Sequence, residues 1–128
     1  MKTIIAFLLL IISSSLSAQE YNLKDGYIAE GYDVVAYFNN NAKEGDEAFS
    51  TTYDLVKFKF INAENLATFK KNPSRYTPQY GGFCAYAMGK QGERISINPK
   101  TYEIRDGKLY LFYNSWFTNT FEDWKKEN

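Results

Sequence analysis

The stretch Val56-Lys57-Phe58-Lys59-Phe60-Ile61-Asn62-Ala63-Glu64-Asn65-Leu66-Ala67-Thr68-Phe69-Lys70-Lys71-Asn72-Pro73 changes its hydrophobic period halfway along. Val56, Phe58 and Phe60 alternate with Lys57 and Lys59, the period of a strand with one wet face. From Ala63 the apolar positions Ala63, Leu66, Ala67 and Phe69 fall on helical spacing, and Asn62 stands where an N-cap belongs. Pro73 disfavours helical geometry at Asn72, so the helix is expected to stop there. A half-buried strand running directly into an amphipathic helix implies a mixed α and β domain.

Upstream, Phe49 to Tyr53 reads as the partner of the strand at Val56 to Ile61. Before it, Asn39-Asn40-Asn41 and the residues to Glu47 read as a polar loop. Asp33 is placed to cap a brief helix over Val34 to Phe38. Tyr27-Ile28-Ala29, bracketed by Gly26 and Gly31, reads as an edge strand.

Downstream, Ser74 to Gln79 is turn-like, with Pro78 inside it. Gly81-Gly82 permits backbone angles closed to other residues. Phe83 to Met88 reads as helix or strand, and Gly89 to Gly92 as a loop. The clearest hairpin joins Tyr102–Arg105 to Lys108–Tyr113 through Asp106-Gly107, a favoured two-residue turn. Its second arm is apolar on both faces and is expected to be a covered, central strand. A final helix is expected after an Asn114 or Ser115 cap, with Phe117, Phe121 and Trp124 along one face. The expected architecture is α+β, a small antiparallel sheet packed with two or three helices.

Residues 1–18 have the pattern of a secretory signal: Lys2, the apolar run Ile4 to Ile12, then the small residues Ser13-Ser14-Ser15-Leu16-Ser17-Ala18. The expected product is one domain, residues 19–128, secreted or periplasmic, with no membrane span once the signal is removed. Over the whole chain 15 basic residues balance 15 acidic ones. That is not the charge of a nucleic-acid binder relying on a basic surface. The complete absence of histidine removes the Ser-His-Asp triad, the Cys-His dyad and zinc sites that need imidazole. One cysteine, Cys84, allows no disulfide within the chain and no all-cysteine metal site. The aromatic load of 11 Tyr, 10 Phe and 2 Trp supplies large rings for a core without disulfides.

The run from Phe60 to Tyr76 resembles the YHS domain family. Supporting segments are Gly31-Tyr32-Asp33-Val34-Val35-Ala36-Tyr37-Phe38, Tyr80-Gly81-Gly82-Phe83-Cys84-Ala85 and Asp106-Gly107-Lys108-Leu109-Tyr110-Leu111. The chain looks most like the small exported members of that family. The resemblance implies a YHS-like fold and a cysteine-bound metal ion such as copper. Position by position, this chain departs from the ligand set. Ala36, Ile61 and Asn65 stand where metal-binding members of the family have cysteines, while Phe60, Phe69, Pro73 and Tyr76 keep the scaffold. A soft ion such as Cu(I) selects sulfur, which none of those three positions supplies.

Candidate ligand-binding residues are therefore Tyr76, Tyr80, Gly81, Gly82 and Cys84 around the glycine turn, with Asp33 and Tyr37 from the upstream motif. Cys84 is the one candidate metal ligand. Each has a plainer alternative: Cys84 as a small core residue, the tyrosines as packing, Asp33 as a helix cap. No catalytic set emerges. Three functions stay open: a non-enzymatic module for a small ligand or metal, an envelope accessory protein with a structural cysteine, and a thiol-dependent redox protein.

Overall fold

The alternation at Val56–Phe60 forms β4, and the elements around it follow from its two edges. The computed structural model describes residues 20–127; the expected signal segment at 1–18 lies outside them. Strand β3 (Asp46–Tyr53) pairs antiparallel with β4, with Tyr53 opposite Val56 and Thr51 opposite Phe58. On the other edge, β2 (Tyr27–Ile28) pairs parallel with β4 through Tyr27 and Lys57, and β1 (Leu23–Lys24) pairs antiparallel with β2. The sheet order is β1-β2-β4-β3. The segment expected at the sheet edge is thus interior, because the two-residue β1 covers it. Ala29 leaves the strand for a short 3-10 turn, Ala29–Gly31. Val56, Phe58 and Phe60 are buried, while Lys57 and Lys59 hold their ammonium groups 4.7 Å over the Tyr27 ring.

Helix α1 (Ala63–Lys71) starts where Asn62 Oδ1 accepts the Asn65 N–H at 2.8 Å. It buries Phe69, whose ring centroid lies 4.5 Å from Phe58 and 5.2 Å from Phe60. The chain breaks at Asn72 and restarts as one helical turn, α2 (Pro73–Tyr76), within the region expected to be a turn. Proline is compatible with a first helical position because that N–H has no partner in the helix. Helix α3 (Ala85–Gln91) resolves the helix-or-strand alternative and extends through the expected loop to Gly92.

The expected hairpin forms as β5 (Asn98–Arg105) and β6 (Lys108–Phe112), with Arg105 opposite Lys108. Asp106 and Gly107 both adopt positive φ, 52° and 76°, as the two-residue turn requires. The hairpin is a second sheet rather than part of the first. Strand β6 is covered by packing against α2, α3 and the 79–82 segment, so Leu109, Leu111 and Phe112 are buried without a second strand partner. Both sheets face one core, in which Phe58, Phe60, Phe69, Tyr37, Leu109 and Leu111 form a continuous cluster. The result is a small α+β fold.

The final helix departs from expectation at its start. Asn114 and Asn119 form an isolated antiparallel bridge, and the Ser115 N–H donates to Thr118 O at 2.8 Å. These contacts close a tight turn before α4 (Thr120–Glu127) begins, and Asn119, not Asn114 or Ser115, accepts the Phe121 N–H. Phe121 and Trp124 pack their rings on Phe112, whereas Phe117 lies outside the helix and is 96% exposed.

Candidate functional site

Asp33 is fully buried, and its carboxylate is saturated with donors. Oδ1 accepts the N–H groups of Val35 and Ala36 at 2.8 and 3.0 Å. Oδ2 accepts the Ile61 N–H at 2.8 Å and the Asn65 side-chain amide at 2.9 Å. In place of the expected helix over Val34 to Phe38 the structure has a 3-10 turn, Ala36–Asn39, and Asp33 accepts the two N–H groups that lead into it. The same carboxylate also ties that turn to the β4–α1 junction. Ala36, Ile61 and Asn65, the three positions where the resemblance would put cysteines, all meet at this one group.

These residues do not fit a copper ion. Four N–H donors occupy the acceptor sites of the Asp33 carboxylate, and among the described residues bonded to it none offers a sulfur to a soft ion. Among the described residues no group of three Cys, His, Asp or Glu side chains is placed to hold a metal.

Cys84 lies elsewhere in the core, fully buried. Its Sγ is 3.2 Å from Thr120 Oγ1, and the Thr120 hydroxyl donates to Tyr113 O at 2.8 Å. With that hydroxyl proton already used, the thiol is the donor to Thr120. Cys84 thus links α3 to the start of α4 and presents no sulfur to solvent. A thiol so enclosed is packed as a core residue rather than exposed as a nucleophile.

The glycine turn is a clasp between distant segments. Gly81 O accepts the Asn22 N–H at 2.8 Å, and Gly82 O accepts the Asn22 side-chain amide at 3.1 Å. Both glycines are buried, so they form no open anion nest. Gly82 has φ +83°, and a Cβ there would lie 3.1 Å from Ile28 Cγ1. The backbone angle favours glycine, and a side chain there would also crowd Ile28 of β2.

Tyr37 and Tyr76 are core residues. Tyr37 donates to Pro99 O at 2.5 Å and stacks edge-on against Tyr102, while Tyr76 packs edge-on against Phe38. Burial pushes the Tyr37 phenol far above its usual range, and the nearby Tyr32 and Glu30 push it in the same direction.

Tyr80 differs from the other proposed ligand residues: it is 38% exposed. Its φ is +59°, an uncommon conformation for a bulky residue. It stands on the wall of two surface grooves. The first, about 300 Å³, is lined by Tyr21, Tyr53, Asp54, Thr77, Gln79 and Tyr80, together with Ser74 and Pro78. The second, about 290 Å³, lies between Tyr80, Tyr86 and Trp124, with Lys90 and Glu127 joined in an ion pair beside them.

Of the expected ligand set, then, the structure gathers Asp33, Tyr37, Tyr76 and Cys84 into the core, Gly81 and Gly82 into a clasp, and leaves Tyr80 accessible. Tyr21, Tyr53 and Asp54 escape a sequence reading. The Asp54-Leu55 turn between two strands is visible locally, but nothing local shows that it meets Thr77 and Tyr80 across a groove. Compared with family models, curated proteins and solved structures, the chain matches none of them.

Proposed function

We propose that this protein is an exported, non-enzymatic module on a YHS-like scaffold that binds a small ligand in the groove between the β3–β4 turn and residues 74–80. The observation that carries this reading is Tyr80. It is the accessible aromatic side chain of the expected ligand set, on a backbone conformation that costs of order 1 kcal/mol and is kept. The convergence of Ala36 with Ile61 and Asn65 on Asp33 supports the YHS-like reading, since two segments far apart in sequence meet where a shared ligand site would lie. It also argues against copper: the purified protein should carry far less than one equivalent by elemental analysis after copper exposure.

The test is a titration with a panel of small neutral, cationic and anionic compounds, followed by amide NMR shifts. Saturable shifts clustered at Leu55, Gln79 and Tyr80, and lost in Tyr80→Ala, are the expected result. Shifts that cluster elsewhere, or none, overturn it. Export is tested separately by sequencing the N-terminus of the protein recovered outside the cytoplasm, which should begin within a residue or two of Gln19.

One observation favours a second reading, an envelope accessory protein. Trp116 and Phe117 are 95% and 96% exposed at the tip of a hydrogen-bonded turn, and large exposed apolar side chains side by side are a feature of interaction surfaces. Crosslinking from position 116 in intact cells should capture one defined partner if this reading holds, and diffuse or no products if it does not.

A further inference from the structure

The grooves differ in how their charges are matched. Beside Tyr86, Lys90 and Glu127 neutralise each other. In the groove of Tyr37, Tyr102 and Glu103, the Glu103 carboxylate is engaged by Arg105 at 3.1 Å and by the Trp124 indole N–H at 2.8 Å. Among the described residues, the groove of Tyr21, Tyr53 and Tyr80 is lined by one carboxylate, Asp54, and no basic side chain. Among the described residues no ion pair includes Asp54; its partner is the Tyr21 hydroxyl, which donates to Oδ2 at 2.5 Å. The nearby Arg75 is turned to other rings, with its guanidinium 5.9 Å from the Phe38 centroid and 5.3 Å from that of Tyr76.

Three phenol rings and a carboxylate without a cation make a chemically selective surface. Aromatic faces attract cations through their quadrupole, and a hydrated alkylammonium loses less on leaving water than a small inorganic ion does. Ser74, Thr77 and Gln79 add neutral polar groups and no competing charge. The backbone also sets up this arrangement. Asp54 and Leu55 both adopt positive φ at the hairpin turn, and Tyr80 does so on the opposite wall. The groups that would meet the ligand are therefore held by turns that cannot relax without unpicking the β3–β4 register or the Asn22 clasp.

We propose that this groove takes a small organic cation of the alkylammonium class, its carbons against Tyr21, Tyr53 and Tyr80 and its charge toward Asp54. The inference rests on the small-ligand reading above and names the ligand chemistry of the same groove.

The test compares choline with 3,3-dimethylbutan-1-ol, its uncharged isostere, in amide NMR titrations of the whole protein at matched ionic strength. Choline should give saturable shifts at Leu55, Gln79 and Tyr80, and the isostere should bind at least about threefold more weakly. Asp54→Asn preserves the turn, because asparagine also suits positive φ, and should weaken choline by about fivefold. Equal binding of the two compounds overturns the cation proposal and leaves a small-ligand groove. Choline binding undiminished in Asp54→Asn overturns it as well. If neither these compounds nor the wider panel shifts the groove, both this inference and the small-ligand reading fail.

Discussion

Asp33 shows how one side chain does two jobs in this fold. It caps the turn that follows it and reaches across to the β4–α1 junction, so its carboxylate replaces water for four N–H donors. Removing it leaves those donors buried or half-buried without an acceptor. Asp33→Ala should destabilise the protein by about 3–5 kcal/mol, measured by urea unfolding; a loss below about 1 kcal/mol would show that water fills the gap. Tyr37 and Tyr21 govern the alkaline limb of stability. Burial raises both phenols, Tyr21 to about 12, with the Asp54 hydrogen bond adding to the effect of burial there. A raised phenol pKa means that the fold holds the proton more tightly than the unfolded chain. The stabilisation is complete below about pH 10, the unfolded value, and is lost as pH rises through the folded values. The thermal midpoint should therefore fall above about pH 10. Tyr37→Phe, which loses the bond to Pro99 but cannot ionise, should start lower and fall less steeply; an unchanged slope would remove Tyr37 from this account.

At the scale of elements, α1 is the most independent piece. Its cap and its stop before Pro73 are local and appear in the structure, whereas of the expected apolar face only Phe69 is buried, Leu66 is half-buried, and Ala63 and Ala67 are exposed. Asn62→Ala should cost about 1 kcal/mol in chemical unfolding, because one helix-end N–H loses its acceptor; no loss would mean that water caps the helix equally well. Helix α4 is the opposite case. Its spacing implied a start near residue 115, but the Asn114–Asn119 bridge and the Ser115–Thr118 bond hold the chain in a turn until Thr120. Those bonds outweigh the helical preference of a short segment, whose first turn is costly to nucleate. The same competition moves Phe117 from an expected packing face to the surface.

For the whole molecule, the two sheets share one core, so local opening of either one exposes the other. Cys84 lies inside that core and bonds the start of α4 through Thr120. Its reaction with a thiol reagent should therefore follow global unfolding: no labelling in the native state, and full labelling across the same urea range as the loss of tyrosine and tryptophan signal. Labelling well before that transition would show that α4 detaches on its own.

The period change at Val56 to Phe69, the Asn62 cap, the Asp106-Gly107 hairpin and the α+β class are legible in the sequence. Each depends on residues within a few positions of one another. The sequence also shows which chemistries lack their residues, because a chain without histidine and with one thiol cannot supply those sites. What surrounds each candidate residue follows instead from long-range packing. Asp33 meets Ile61 and Asn65, Asn22 meets Gly81, Cys84 meets Thr120, and Asp54 and Tyr80 line one groove, each joining segments distant in sequence. Whether a tyrosine becomes core or groove wall depends on which other segment covers it, and no local pattern encodes that packing.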